Sequence, residues 1–304
     1  MKCVDILLAT YNGSIYLENQ LLSLLSQTYK NWRLLIHDDG SNDNTLEIIY
    51  KYQKIDSRII LIEDEIKGNG AAYNFMHLLS LSESDLIVFC DQDDIWFENK
   101  LMQLVEGFNG EFDKPLAVFC NGYAYSEQRG IISDKITNVF PKDLNEQLFL
   151  NAGIQGCSLM FNRMLKQKLL PFSGFIVMHD HFITLGVLCF GELRYVDKSL
   201  MLYRQFHVNK VTANIEYSFA KRLKSIFISD IPVIDRRHKE AYESFYEGFK
   251  NELNQSQIDL FQAYFLYSRS GLLKRLLIVI VNRFKLYNSV LALLLKTITR
   301  KPIN

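Results

Sequence analysis

At 304 residues and 35.5 kDa the chain exceeds the usual single domain of about 100–200 residues, and 48% hydrophobic, 13% aromatic and 22% charged residues suit a folded protein with a large core. Fifteen glycines, five prolines and the lack of any internal repeat exclude collagen-like, Pro-rich disordered and solenoid chains. The net charge is zero, but eight of the 34 basic groups fall in residues 260–304, which hold no Asp or Glu; the body keeps 26 bases against 34 acids, and a tail of +8 predicts an anionic partner.

In chain order, β-rich apolar runs at Val4–Ala9, Trp32–Ile36, Arg58–Ile62, Leu86–Cys90 and Leu116–Cys120 alternate with helical spacings. The helical sets are Leu17, Leu21, Leu24; Leu46, Ile49, Tyr52; Phe75, Leu78, Leu79; and Leu101, Leu104, Val105, Phe108. Strands separated by amphipathic helices predict βαβ units and a mainly parallel sheet of the α/β class. Residues 121–210 mix short strands (Ser158–Phe161, Leu193–Val196, Leu200–Tyr203) with a helical run at His181–Phe190, and from about residue 216 the pattern is helical, broken at Pro232. The organisation read from this is a sheet-based region over 1–210, with halves at 1–120 and 121–210, and a helical C-terminal region over 211–304. Five scattered cysteines without a CxxC predict reduced thiols in a cytosolic protein. The N-terminal apolar stretch, interrupted by Asp5, is too short for a secretory signal, so the protein is expected not to be secreted.

Open α/β sheets bind ligands beyond the carboxyl ends of their strands. Here those ends carry Thr10-Tyr11-Asn12-Gly13, His37-Asp38-Asp39-Gly40-Ser41, Lys67–Gly70 and Asp91-Gln92-Asp93-Asp94. Three carboxylates in four positions after a buried strand repel one another unless a cation is present, and such oxygen ligands suit Mg²⁺ or Mn²⁺. The plain alternative is a solvated turn with an Asp helix cap. For Asp38–Asp43 a D-G turn and a capping Ser41 or Asp43 explain the sequence as well as a ligand does. Gly68-Asn69-Gly70 opens like a dinucleotide fingerprint, but Tyr73 replaces the third glycine and the segment follows the third strand, which argues against an oxidoreductase. His179-Asp180-His181 on a strand would aim both rings one way, as zinc requires; the helical spacing after it instead sets them about 200° apart.

Taken in order, Ala9–Gly13, Asp38–Asp43, Gly70 with Asn74-Phe75, Asp91–Trp96, Gly156-Cys157-Ser158 and Tyr203-Arg204-Gln205 resemble the inverting family-2 glycosyltransferases of the GT-A fold. The nearest look is to bacterial rhamnosyltransferase-like enzymes that build capsule, O-antigen or cell-wall polysaccharide. The resemblance implies a Rossmann-like GT-A sheet with a helical C-terminal appendage. It implies nucleotide-sugar binding by Thr10, Tyr11, Asn12, Asp39, Gly70, Asn74, Asp91, Gln92 and Arg204. The Asp91-Gln92-Asp93 step corresponds to the family's DXD motif, with Asp93 and Asp91 on Mn²⁺ or Mg²⁺ and His207 as a further metal contact. Asp180 corresponds to the general base, and Asp94, Trp96, Gly156, Cys157 and His179 to the acceptor side. Two departures stand out: Gly68 where relatives have Asn, and Phe206 where they have His, with His207 one place later.

The implied reaction is metal-dependent transfer of a sugar, from dTDP-L-rhamnose or a UDP-sugar, to a hydroxyl of a growing and lipid-linked glycan, with inversion. A carboxylate at Asp39 suits the N3–H donor that uracil and thymine share. One rival is a sugar nucleotidyltransferase, against which stands the lack of Lys or Arg in Ala9–Tyr16; the other is an inactive carbohydrate-binding or scaffolding homologue, against which stand the intact carboxylates. No nucleic-acid partner is expected, and a homodimer stays open. The Leu-rich, basic segment 272–301, interrupted by Arg283 and Lys285, is too broken to span a bilayer and predicts peripheral attachment to the anionic inner face of the cell membrane; packing on protein is the alternative.

Overall fold

In the computed structural model, residues 2–205 and 232–303 are described. Strand β1 (Val4–Thr10) lies at the middle of the first half, with β2 (Trp32–Asp38) and β4 (Leu86–Cys90) parallel on either side and β3 (Ile59–Leu61) outside β2. Covered on both faces, these strands need near-continuous apolar sequence, as VDILLAT and LIVFC provide. The exception is Asp5, fully buried in β1. It is neutralised by a two-point pair with Arg33 at 2.9 Å and by the hydroxyls of Ser82 and Ser84.

Beyond β4 the sheet takes antiparallel partners. Strand β8 (Leu159–Asn162) runs against β4 and against β6 (Leu116–Ser126). Strand β9 (Glu192–Arg204) lies parallel to β6, the short β5 (Ile95–Trp96) edges β9, and β7 (Gly130–Ser133) forms a hairpin with β6. The two runs read as separate strands at Leu193–Val196 and Leu200–Tyr203 are thus one strand that follows β6 through two register shifts. Two residues of β5 are too few for a periodic pattern; pairing with β9 alone makes them a strand.

Side-chain alternation sorts the core into two layers. Val4, Ile6 and Leu8 face α1 (Leu17–Leu25), α2 (Thr45–Ile55) and α4 (Lys100–Glu106). Leu7, Leu35 and Ile87 face α3 (Ala71–Leu81), α5 (Leu144–Leu150), α6 (Arg163–Leu169) and α7 (His179–Phe190). That second layer continues without a break into α8 (Arg236–Phe249), α9 (Gln255–Ser268), α10 (Leu272–Val281) and α11 (Val290–Thr299) through Tyr242, Phe245, Phe261, Tyr264 and Leu293. Asp235, Asn254 and Ser289 cap α8, α9 and α11, Asn254 forming a reciprocal box with Gln257; each cap is worth about 1 kcal/mol. After Pro232, Val233 and Ile234 hydrogen-bond to the carbonyls of Lys301 and Pro302, which ties the end of the chain to the start of the helical layer.

Candidate active site

Because β1 lies between β2 and β4, the three strands end side by side, Thr10 opposite Asp38 and Leu8 opposite Cys90. The loops that follow, with the start of α3, enclose a cavity of about 510 Å³. Eight of the residues expected at a nucleotide-sugar or metal site line it: Thr10, Tyr11, Asp39, Gly70, Asn74, Asp91, Gln92 and Asp93. Asn12, Arg204 and Asp180 are not among its lining residues.

Asn12 serves the walls. At φ 47 it turns the chain, its side-chain oxygen accepts from Asn42 N–H, and its own N–H donates to the Ser41 hydroxyl, each at 2.8 Å. Asp38 knits the same turn, accepting from the Thr10 hydroxyl, the Ser41 hydroxyl and the N–H groups of Gly40 and Ser41. Gln92 spans the other wall: its amide accepts from Tyr11 N–H and donates to Tyr11 C=O, both at 3.0 Å, locking the first loop to the acid loop. Asp39 has Gly70 N–H at 2.9 Å on one oxygen and Asn69 N–H at 3.2 Å on the other. Gly70 caps α3 at φ 82, a conformation that favours glycine. A carboxylate offers about four lone-pair sites, so Asp39 keeps capacity for a donor in the cavity.

In the acid loop, Asp93 and Asp94 are buried. Ligand atoms of Asp91, Asp94 and Cys157 converge within 4.8 Å, and Asp94 Oδ2 has no hydrogen-bond partner among the described residues. Burial pushes the Asp94 carboxyl well above its ordinary range, and the charges of Asp91 and Asp93 push it further. The two carboxylates of this cluster, with an unsatisfied buried oxygen on Asp94, fit a hard divalent cation, whereas the Cys157 sulfur is a soft donor. Two cations brace this loop from behind. Lys100 is fully buried, 2.7 Å from the Cys157 carbonyl and 3.6 Å from the centroid of the Trp96 ring. Arg204, expected at the nucleotide-sugar site, donates to the Asp93 carbonyl at 2.9 Å and to Glu127 at 2.6 Å, its guanidinium lying over the Tyr16 ring. Lys100 escaped the sequence reading because it stands at the head of an apolar helical pattern, and the ring it packs on, Trp96, lies in β5, so helical spacing gives no signal for the contact.

Asp180 opens α7 and is half-buried. It accepts from His181 N–H at 2.7 Å, yet burial dominates and pushes its carboxyl up to about 6, with the charge of Asp91 adding to the effect. The two flanking histidines diverge as a helix requires. His179 packs between Phe75 and Phe89, its ring centroids 4.1 and 4.6 Å away, and His181 reaches the Tyr242 hydroxyl at 3.1 Å; burial pulls both down to about 3, so both are neutral. Trp96, Cys157 and His179 are enclosed beneath the site rather than exposed in it. A Cβ on Gly156 would meet His179 Nε2 at 2.5 Å, so the loop before β8 lies directly on this ring. The remaining metal candidate, His207, lies outside the described residues.

The family model for glycosyl transferase family 2 matches residues 5–170, more than half of the chain. Among characterised proteins, a dTDP-rhamnosyl transferase of Shigella flexneri, RfbG, is 32% identical over 69% of this chain and 75% of its own length. An Escherichia coli UDP-Glc:alpha-D-GlcNAc-diphosphoundecaprenol beta-1,3-glucosyltransferase, WfgD, is 32% identical over 61% of this chain and 69% of its own. Among solved structures, the S. aureus TarS 1–349 complex with UDP-GlcNAc superposes with a TM-score of 0.54 over 97% of this chain and 89% of that one, at 16% identity. The mannosyltransferase PcManGT of Pyrobaculum calidifontis, in complex with GDP-Man and Mn²⁺, gives 0.51 over 98% and 86%, at 14% identity.

Proposed function

The chain belongs to glycosyl transferase family 2 and has the GT-A fold, and from that premise we propose that it transfers a sugar from a pyrimidine-nucleotide donor to a hydroxyl of a bacterial surface glycan, with inversion. The observation that carries this reading is the convergence of Thr10, Asp39, Asn74, Asp91 and Asp93 on one cavity, with the start of α7 packed through His179 on Phe75, a residue of the cavity wall.

In this reading Asp39 accepts from the N3–H of uracil or thymine while the Asn69 and Gly70 amides hold its carboxylate in place. Asp91 and Asp93 hold a divalent cation, with Asp94 beneath them; when bound, it offsets the negative charge that develops on the leaving diphosphate. Asp180 takes the proton of the acceptor hydroxyl as that oxygen attacks the anomeric carbon and the carbon–diphosphate bond breaks. A base tuned up to about 6 is better matched to this task than an ordinary carboxylate. Arg204 and Gln92 hold the loops rather than the donor.

The donor is proposed as dTDP-L-rhamnose first and a UDP-sugar second, supported by the likeness to the rhamnosyl and glucosyl enzymes. Calorimetry with dTDP, UDP and GDP in the presence of Mn²⁺ tests it; tighter binding of GDP than of both others overturns it. A donor-hydrolysis assay with and without EDTA tests the metal requirement.

The acceptor is proposed to be lipid-linked, at a membrane that the C-terminal helices touch. Among the described residues no helix is long and apolar enough to cross a bilayer. Helix α10 buries Arg275, Ile278 and Val279 and turns Leu273, Leu277, Ile280 and Val281 outward, Leu273 at 84% exposure; α11 presents Leu291 and Ile298. The expected arrangement of cations is thereby altered: Arg275 and Arg300 are buried and Lys285 pairs with Glu146 at 3.1 Å, leaving exposed Lys274 within α10 and Arg283 and Lys301 just after α10 and α11. Outward apolar side chains on helices that also expose cations, with no acid in residues 260–304, suit anionic headgroups. Since these helices share the core, the test uses a surface variant rather than a truncation: Leu273→Gln with Leu277→Gln and Leu291→Gln is expected to lose flotation with anionic vesicles at low salt. Equal flotation of both proteins overturns the membrane reading.

A further inference from the structure

A polar cluster behind the Asp39 end of the cavity is unused by this mechanism. His37, the residue before Asp38 in β2, is buried against α3. Its Nδ1 lies 2.8 Å from Asn74 Oδ1 and its Nε2 lies 3.1 Å from Asp64 Oδ1. The Asn74 amide cannot be reversed, because its Nδ2 already donates to the His37 carbonyl at 3.1 Å. Both ring nitrogens therefore face acceptors. A neutral imidazole carries one N–H and would set its remaining lone pair against an oxygen, so this geometry calls for an N–H at both positions.

Asp64 is the other end of the contact. Its first oxygen also accepts from Ile66 N–H at 2.9 Å, and its second meets His77 Nε2 at 2.8 Å, one turn along α3 from Asn74. The two imidazoles meet edge to face with centroids 4.9 Å apart. Although burial works the other way, the hydrogen bonds from Ile66, His77 and His37 hold the Asp64 carboxyl at about 2, so it is anionic. A few residues later the same loop delivers the Asn69 and Gly70 amides to Asp39, and Asn74 itself lines the cavity.

We infer that His37 is a positioning residue: as an imidazolium it ties Asn74 and the Asp64 loop to the end of β2, and thereby fixes the amides that aim Asp39 at the base of a nucleoside diphosphate. The inference rests on the donor reading given above. His37 does not touch the donor; it acts through Asn74 and through the 64–70 loop.

The test uses the full chain and two readouts. Long-range ¹H–¹⁵N spectra of histidine-labelled protein at pH 7 are expected to place both His37 ring nitrogens in the protonated range; a neutral His37 ring overturns the inference. In calorimetry with UDP and dTDP, Asp64→Asn and His77→Ala are expected to weaken binding about tenfold. His77→Gln, whose amide keeps a donor for Asp64, is expected to restore most of it. In turnover the loss falls on the donor KM, with kcat retained. Wild-type affinity in both Asp64→Asn and His77→Ala overturns the positioning role, as does stoichiometric zinc carried by the wild type and lost in His77→Ala, which would put a metal where the proton is inferred. Wild-type protein that binds neither nucleotide sinks the donor reading instead, and the spectra still decide the charge on His37.

Discussion

Asp38, Asp39 and Asp43, at the end of β2 and just beyond it, and Asp94 and Asp180, after β4 and at the start of α7, are one functional group in opposite surroundings. The first set is rich in donors. Asp38 accepts from two backbone amides and two hydroxyls, Asp39 from two amides, and Asp43 from Ser14 and Thr45, which hold it at about 2 against the effect of burial. The second set is short of donors. Asp94 has an oxygen without a partner among the described residues, and Asp180, with one amide, is carried up to about 6 by burial. Acids whose lone pairs are taken by the backbone shape loops; acids left short are the ones able to take a proton or a cation.

The contrast is most directly broken at Asp180. Asp180→Asn keeps the shape and the His181 contact but cannot take a proton, so kcat is expected to fall by roughly 10³-fold while nucleotide affinity is unchanged. A variant within tenfold of wild type across the accessible pH range removes Asp180 as the base. A smaller loss is expected for Asp93→Ala, on the order of 10² in kcat, with activation by Mn²⁺ abolished and the melting temperature retained. Full activity at saturating donor would take Asp93 out of the metal site.

From the donor-rich side, Asp39→Asn sharpens the comparison. The amide keeps one acceptor oxygen but loses the charge, and its NH₂ faces a backbone N–H. Nucleotide affinity is expected to drop about tenfold and the melting temperature by a few degrees, both from losing charge-assisted hydrogen bonds. Unchanged affinity would make Asp39 a loop brace like Asp38.

The parallel strands and the cavity residues were legible because both are local: an apolar run, a helix period and a polar strand end are written in consecutive residues, and β1 needs only its neighbours to bring Thr10, Asp38 and Asp91 together. What the sequence did not disclose is set by partners far along the chain. Arg204 is 111 residues from Asp93, to whose carbonyl it donates, and its pairing with Glu127 depends on how β9 follows β6. Trp96 and His179 look like binding aromatics beside polar motifs; only the packing of Lys100 on one, and of Phe75 and Phe89 on the other, turns them inward. The eight basic residues of the tail counted alike in sequence, whereas the helix phase buries Arg275 and exposes Leu273.

The smallest effect expected is on stability, and it asks whether burial alone sets Asp180 apart. Its carboxyl ionises near 3.8 when unfolded and at about 6 in the fold. An acid with a raised folded value contributes fully below the unfolded value and loses that contribution as pH climbs through the folded one, because the unfolded chain sheds its proton first. Asp180→Asn has no such ionisation. The two proteins are therefore expected to melt together near pH 4 and to diverge between about pH 4 and 6, the variant becoming more stable by on the order of 1–2 kcal/mol, or a few degrees. The kcat/KM of the wild type is expected to rise over the same interval, since the base must be unprotonated. Part of the shift comes from Asp91, so the melting series belongs in EDTA, and added Mn²⁺ is expected to narrow the gap by masking that charge. If the variant is no more stable than wild type at pH 7.5, the surroundings of Asp180 do not penalise its charge, and it joins the donor-rich carboxylates across the cavity.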